Sequence, residues 1–229
     1  MSTQYSPQIV TNGLVLALDA GNPKSITSGS LTWSSLTNPI YSGSLVNGAY
    51  YTPPNLGSIV FDGGDDYVDF TAPNITSTAS VEMWVKLGSG FENKMFFGWF
   101  SYDVWCSGNN IGYNTGNSDI YGLTSASFTA LGPVNRWFHY VFEMYSGSYI
   151  SNKIYINGTS YPLSQVLGTQ TAQQTTFNNG NGRIALWQRG NIGSFNMPMS
   201  CSIFKVYNKT LTPQEIQQNY NATKGRFGL

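Results

Sequence analysis

Only one stretch of this chain reads as a helix, and it lies at the end. Thr212, Pro213 and Glu215 spell its start. The Thr hydroxyl caps free amides, Pro in the first helical position forfeits no hydrogen bond, and Glu three residues after the cap closes a capping box. Ile216 and Tyr220, four residues apart, give it one apolar edge, and Gly225 supplies a stop. Everything before this helix is strand-like, which points to an all-β fold.

The strand signals recur at intervals between turn clusters. Leu14–Asp19 opens the series and ends where Gly21 and Pro23 force a turn. Residues 24–57, rich in Ser, Thr, Asn, Pro and Tyr, are predicted to cross the edge of the fold with few regular strands. Ser58–Asp62 and Tyr67–Phe70 flank the acidic turn at 63–66. Ala79–Leu87 carries apolar residues at 81, 83, 85 and 87 with Trp84 on the opposite face, the pattern of a central strand with one side in the core and the other partly covered. Shorter strands are predicted at 94–100, 103–107 and 110–114, and a second long one at 136–145. Lys153–Thr159 runs into the Asn157-Gly158 turn of a tight hairpin, and strands at 183–187 and 201–207 complete the set. Trp84 and Trp137 are expected where two sheets meet. These signals predict a two-sheet antiparallel jelly-roll sandwich with a short C-terminal α-helix. It forms one domain over residues 1–229, with an N-terminal arm at 1–9, the helix at 212–224 and a tail at 225–229.

Composition narrows the partners. Eleven basic and eleven acidic residues cancel, and no basic stripe is present to neutralise phosphates, so nucleic acid is not expected as a partner. No apolar run of about 18 residues is present to span a membrane. The N-terminus lacks the basic and apolar regions of a signal peptide, so synthesis and folding in a cytoplasm are expected. Charged residues make up 10% of the chain against roughly 25% in ordinary domains, while aromatics reach 15%. Such a surface suits packing on other protein or stacking on sugar rings. Cys106 and Cys201 show no metal-ligand spacing and are expected as reduced, packed thiols.

Five motifs in order carry a resemblance. Gly13–Gly21, Ile59–Asp69, Ser80–Lys86, Asn135–Val141 and Ile154–Gly158, with the terminal strand and helix, resemble the concanavalin A-like lectin/laminin-G-like β-sandwich. The version they resemble is common among structural proteins of tailed bacteriophages. The resemblance implies a structural calcium held by hard oxygen ligands, here Asp19, Asp62, Asp65 and Asp66. The last-strand position that usually holds Asp in such a site is Ser202 in this chain. The same three hairpin acids also serve as turn formers.

Catalytic groups are scarce. Glucan-cleaving relatives carry closely spaced acids along one strand, whereas Glu82 and Glu143 are each the lone acid of theirs. The single histidine, His139, sits between aromatics in a strand, the setting of a packed residue. The expectation is therefore a protein that is not an enzyme and carries no cofactor beyond a structural calcium. Trp99, Tyr102, Trp105, Tyr113, Tyr121 and Trp187 lie in or beside predicted loops as candidate sugar-stacking residues, with Asn109, Asn110 and Asn114 as hydrogen-bonding groups. The same aromatics also suit a core or an oligomer contact.

Two functions follow as expectations. The first is a virion structural protein, a capsid decoration or accessory protein on the particle surface, with other virion proteins or its own copies as partners. Residues 2–8 and 226–229 would serve as docking arms. The second is a carbohydrate-binding, lectin-like module with a glycan partner.

Overall fold

The computed structural model describes residues 8–53, 57–99, 102–115, 118–169, 180–186 and 194–229. In chain order the strands are β1 (Leu14–Asp19), β2 (Thr32–Trp33), β3 (Gly43–Val46), β4 (Tyr50–Thr52), β5 (Ser58–Phe61), β6 (Tyr67–Thr71) and β7 (Thr78–Leu87). Then come β8 (Lys94–Trp99), β9 (Tyr102–Ser107), β10 (Asn110–Asn114), β11 (Ile120–Leu123) and, after the short helix α1 (Ser125–Thr129), β12 (Trp137–Tyr145). The chain closes with β13 (Lys153–Ile156), β14 (Thr159–Tyr161), β15 (Ser164–Leu167), β16 (Asn181–Ile184), β17 (Met199–Tyr207) and helix α2 (Pro213–Thr223).

Two antiparallel sheets stack as a sandwich. Sheet I has the order β14-β13-β12-β7-β17-β5-β4, with β1 also on β17, and sheet II the order β15-β11-β10-β9-β8-β16-β6-β3-β2. The odd residues of β7, Val81, Met83, Val85 and Leu87, face sheet II and are buried there. Phe70, Phe96, Phe97, Tyr140, Phe142 and Phe204 fill the centre in tilted and edge-on contacts. Gly182 is required by this packing, because a Cβ there would collide with the Phe70 ring. Asn157 and Gly158, with φ of 50° and 80°, make the hairpin turn between β13 and β14.

The predicted strands form, except that the one expected at 183–187 falls at Asn181–Ile184, and α2 starts at Thr212 with both halves of its capping box. Three further details differ. Residues 24–57 contain β2, β3 and β4, short strands whose mixed polar sequence hides them. The helical path continues past Gly225 as a 3-10 turn over Lys224–Phe227 and ends at Gly228, whose φ of 74° breaks it. Trp84 and Trp137 do not lie between the sheets. The even-numbered residues of β7, Ser80, Glu82, Trp84 and Lys86, and the paired odd-numbered Trp137 and His139 of β12 point outward from sheet I.

That outward face is where α2 lands. Val10, Val141, Tyr155, Tyr207, Leu211 and Ile216 form a second core between helix and sheet. Phe227 stacks on the Trp84 indole at 4.0 Å and Tyr220 at 6.0 Å, while the indole N–H donates to Thr223 at 2.8 Å. Arg226 pairs with Asp19. The expected tail arm at 226–229 is thus packed in part, because a fully buried Trp needs a cover and the tail supplies it. At the other end, Gln8 accepts a 2.6 Å hydrogen bond from Gln218, and residues 1–7 lie outside the described residues.

Phe227→Ala uncovers one face of Trp84. Since Phe227 is itself half-buried, the expected loss is about 2 kcal/mol, below the ~3–5 kcal/mol of a fully buried Phe. Urea unfolding followed by tryptophan fluorescence checks it, with a native-state emission shift to the red accompanying the loss.

Candidate carbohydrate-binding face

The pleat that buries every second residue of sheet II turns the others outward. Register places Ser44 opposite Asp69, Asp69 opposite Arg183, Arg183 opposite Gly98, Gly98 opposite Asp103, and Asp103 opposite Asn114. Five strand steps of about 4.8 Å make a polar row roughly 24 Å long. Gly98 contributes no side chain, so the row dips between Arg183 and Asp103. Along its length Ser44 is exposed, Asp69, Arg183 and Asn114 are half-buried, and Asp103 is 3% exposed.

Several of these groups have spare hydrogen-bonding capacity. Arg183 lies over the Tyr67 ring with its guanidinium carbon 4.5 Å from the centroid. Asp69 Oδ1, Asp103 Oδ1 and Arg183 Nε are buried atoms with no hydrogen-bond partner among the described residues. Burial raises the Asp69 carboxyl above its ordinary range, with Arg183 and Asn181 opposing the shift. Burial pushes Asp103 up to about 7, against the Asn114 amide at 3.4 Å and helped by the charge of Asp119. Buried acceptors and donors left without partners are costly, so this row carries unspent hydrogen-bonding capacity below its surface.

The aromatics singled out from the sequence are dispersed. Tyr102 and Tyr113 lie in the central core, where their hydroxyls donate to Tyr145 O at 2.7 Å and to Glu143 O and Lys153 O at 2.8 Å. They tie the two sheets together and present no ring face to solvent. Trp105 faces outward but is covered by Met95 and Ile120, and its indole donates to Asp119 O at 3.0 Å. Tyr121 is half-buried and meets Tyr149 edge-on at 5.1 Å. Trp187 and the side chain of Trp99 lie outside the described residues. Asn109 and Asn110 hold turns through Glu92, Ser107 and Ser125, whereas Asn114 belongs to the row.

His139 and Glu82 are sealed under α2. Glu82 Oε1 accepts from Lys205 at 3.0 Å and lies 3.3 Å from His139 Nε2, while Oε2 accepts from Asn219 at 2.6 Å and Tyr207 at 3.2 Å. Burial pushes this carboxyl up, but Lys205 and His139 outweigh it and hold it at about 2. Both Cys106 and Cys201 are free, buried thiols.

The four-carboxylate calcium set does not assemble. Asp62, Asp65 and Asp66 bring carboxylate oxygens within 4.8 Å of one another at the β5–β6 turn, but Asp19 is not among them. Asp62 accepts from Gly64 at 2.6 Å and Asp66 from Asp62 at 3.0 Å, so two of the three satisfy the turn itself. Asp19 is neutralised by the Arg226 guanidinium, which also donates to Ser202 Oγ at 2.6 Å and to Gly57 O at 3.2 Å. An arginine thus supplies the cation that joins the first and last strands.

Two twisted antiparallel sheets with one polar outer face define a lectin-like β-sandwich. The chain belongs to the concanavalin A-like lectin/glucanases superfamily, whose Laminin_G_3 model matches residues 62–217. Among solved structures it is similar to Trypanosoma rangeli sialidase in complex with 2,3-difluorosialic acid, at 13% identity and a TM-score of 0.67, covering 98% of this chain and 36% of that one. It is similar too to the binding domain of botulinum neurotoxin serotype D, at 13% identity and a TM-score of 0.60, with coverage of 91% and 51%. A third likeness is the binding domain of Paraclostridial Mosquitocidal Protein 1, at 12% identity and a TM-score of 0.64, with coverage of 92% and 52%. The chain spans about half or less of these proteins, and identities this low show a shared fold alone. No curated protein matches it in sequence. No helix among the described residues is long and apolar enough to cross a membrane.

A carboxyl raised by folding stabilises below its unfolded value and loses that contribution as pH rises through the folded one. For Asp103 the window runs from 3.8 to about 7. Asp103→Asn, which mimics the protonated acid, is expected to flatten the fall in urea midpoint across that window and to exceed the unsubstituted protein at pH 8.

Proposed function

We propose that this chain is a non-catalytic carbohydrate-binding module that recognises glycans through the outer face of sheet II. The observation that carries the reading is the in-register outward row Ser44–Asp69–Arg183–Gly98–Asp103–Asn114, in which Ser44 is exposed and Asp69, Arg183 and Asn114 are half-buried polar side chains. The superfamily contains both lectins and glucanases, and the row's spacing favours the first. Hydrolysis needs two carboxyls about 5 Å apart, or roughly 6.5–9.5 Å with an intervening water. Asp69 and Asp103 are three strand steps apart, roughly 14 Å along the sheet. Asp119, whose charge acts on Asp103, is fully buried, with its oxygens taken by Thr115 and Gln165. The solved neighbours support a binding role: two are toxin binding domains, and the sialidase has been solved with sialic acid.

On this reading the module acts at the surface of a virion, as an accessory or decoration protein made in the host cytoplasm and held among other virion proteins. The resemblance of its ordered motifs to phage sandwich domains is what supports that placement. The reading invokes no metal, since the row itself holds none of the expected calcium ligands and Asp19 is paired with Arg226.

Glycan-array binding of the full chain tests the reading. Arg183→Ala is expected to weaken the bound glycan about tenfold or more, a loss of about 1.4 kcal/mol, and EDTA is expected to leave binding unchanged. No bound glycan, or equal binding by the variant, would sink it. Imaging of particles that carry the chain tests the placement: the row should face outward, and burial against a neighbouring capsid or tail protein rejects it.

A further inference from the structure

α2 and the tail leave one part of sheet I uncovered. Register there puts Tyr50 opposite Val60, Val60 opposite Ser200, Ser200 opposite Lys86, and Lys86 opposite Trp137. Four strand steps make this second row roughly 19 Å long, with an aromatic at each end and a hydroxyl and an ammonium between them. Tyr50 is 56% exposed, while Val60, Ser200, Lys86 and Trp137 are half-buried.

The middle of the row is hollow. A cavity of about 260 Å³ opens there, lined by Val60, Lys86, Gly88, Asn135, Pro198 and Ser200 among others. Its walls are pinned by backbone: Asn135 N donates to Leu87 O at 2.8 Å and Gly88 N to Pro198 O at 2.7 Å. A pocket held this way is formed before any ligand arrives.

Its charge is uncompensated. Among the described residues, no carboxylate lies within 4.0 Å of Lys86, whereas Lys153, Lys205, Lys209 and Arg226 each pair with one. The Lys86 ammonium instead sits 5.7 Å from the centroid of the Trp137 ring, and the Trp137 indole N–H has no acceptor among the described residues. Lys86, Ser200 and Asn135, residues with an ammonium, a hydroxyl and a carboxamide, thus line one small cavity together with the apolar Val60 and Pro198.

The geometry points to a second binding site, for a single acidic sugar: a pyranose whose carboxylate meets Lys86 while its ring hydroxyls meet Ser200 and Asn135. At about 260 Å³ the cavity falls just below the ~300–1,000 Å³ range of ligand pockets, which suits one ring rather than an oligosaccharide. The site lies on the opposite sheet from the polar row and shares no residue with it.

Titration of the full ¹⁵N-labelled chain with methyl β-glucuronide and with methyl β-glucoside, followed by NMR, isolates the carboxylate. The glucuronide should shift the amides of Lys86, Gly88, Asn135 and Ser200 and bind about tenfold tighter than the glucoside, as a charge-assisted bond predicts. Lys86→Gln should abolish that preference, Lys86→Arg should keep it, and Arg183→Ala should leave it untouched. Shifts confined to other residues, or a preference that survives Lys86→Gln, overturn the proposal. Equal competition by sodium acetate overturns the sugar assignment by showing a site for a bare carboxylate. Failure of the sheet II face in glycan binding changes none of these outcomes.

Discussion

A carboxylate with no exposure to solvent dictates how this sandwich is finished. Glu82 stands in the middle of β7, the strand flanked by both long neighbours, and points away from the inter-sheet core. Left uncovered it would be an ordinary surface acid. Covered, it must be neutralised and its lone pairs filled, since a buried charge robbed of a partner costs about 3–5 kcal/mol. Lys205 and Tyr207 come from the neighbouring strand, but Asn219 comes from α2. The helix is therefore part of the solution to a sheet problem. Asn219 also accepts from Val10 N at 2.7 Å, so the same amide fixes the incoming N-terminal segment.

The second tie across the ends of the chain is Arg226. Ser202 forms a bulge in β17, where the strand changes partners from β5 to β1. Bulges leave backbone and side-chain groups off the ladder. Ser202 O accepts from Ala20 N, Ser202 Oγ donates to Gly57 O, and the guanidinium spans Ser202, Gly57 and Asp19. A planar fork with fixed donor directions does here what a spherical ion does with a ring of oxygens. Such a fork needs one carboxylate and neutral acceptors, which accounts for Ser at 202 and for Asp19 standing apart from the hairpin acids.

What was legible in the sequence tracks how local its cause is. The capping box at Thr212–Glu215 and the Asn157-Gly158 turn are decided within four residues, and both form as read. The alternation of β7 shows that two faces exist but not which sheet each meets, so Trp84 and Trp137 were expected on the inner side. Residue type misled in the same way at Tyr102 and Tyr113. A Tyr beside Gly- and Asn-rich turns suits a sugar platform, yet these two alternate with Asp103 and Asn114, and it is the polar neighbours that face outward. Neither polar row is visible in the sequence, because each joins residues from five or six strands whose register is set by the whole fold. The alternation of β6, β9 and β16 did hold the signal for Asp69, Asp103 and Arg183 singly.

The two outer faces end up with opposite character for one reason. Sheet II is left free of the C-terminal helix, and beside the apolar cluster around Trp105 its outward residues form a polar row with two carboxyls against one guanidinium. Sheet I is half roofed, and the roof ends at Phe227, 5.0 Å from the Trp137 ring. Beyond that edge toward β4 lies the row Tyr50–Val60–Ser200–Lys86–Trp137, whose one charged member is Lys86. The Trp137 ring is the link between the two regions, with Phe227 on one side at 5.0 Å and the Lys86 ammonium on the other at 5.7 Å. Stability and surface chemistry are coupled through the Phe227 ring, since the contact that shields Trp84 from water also decides how much of sheet I a ligand can reach.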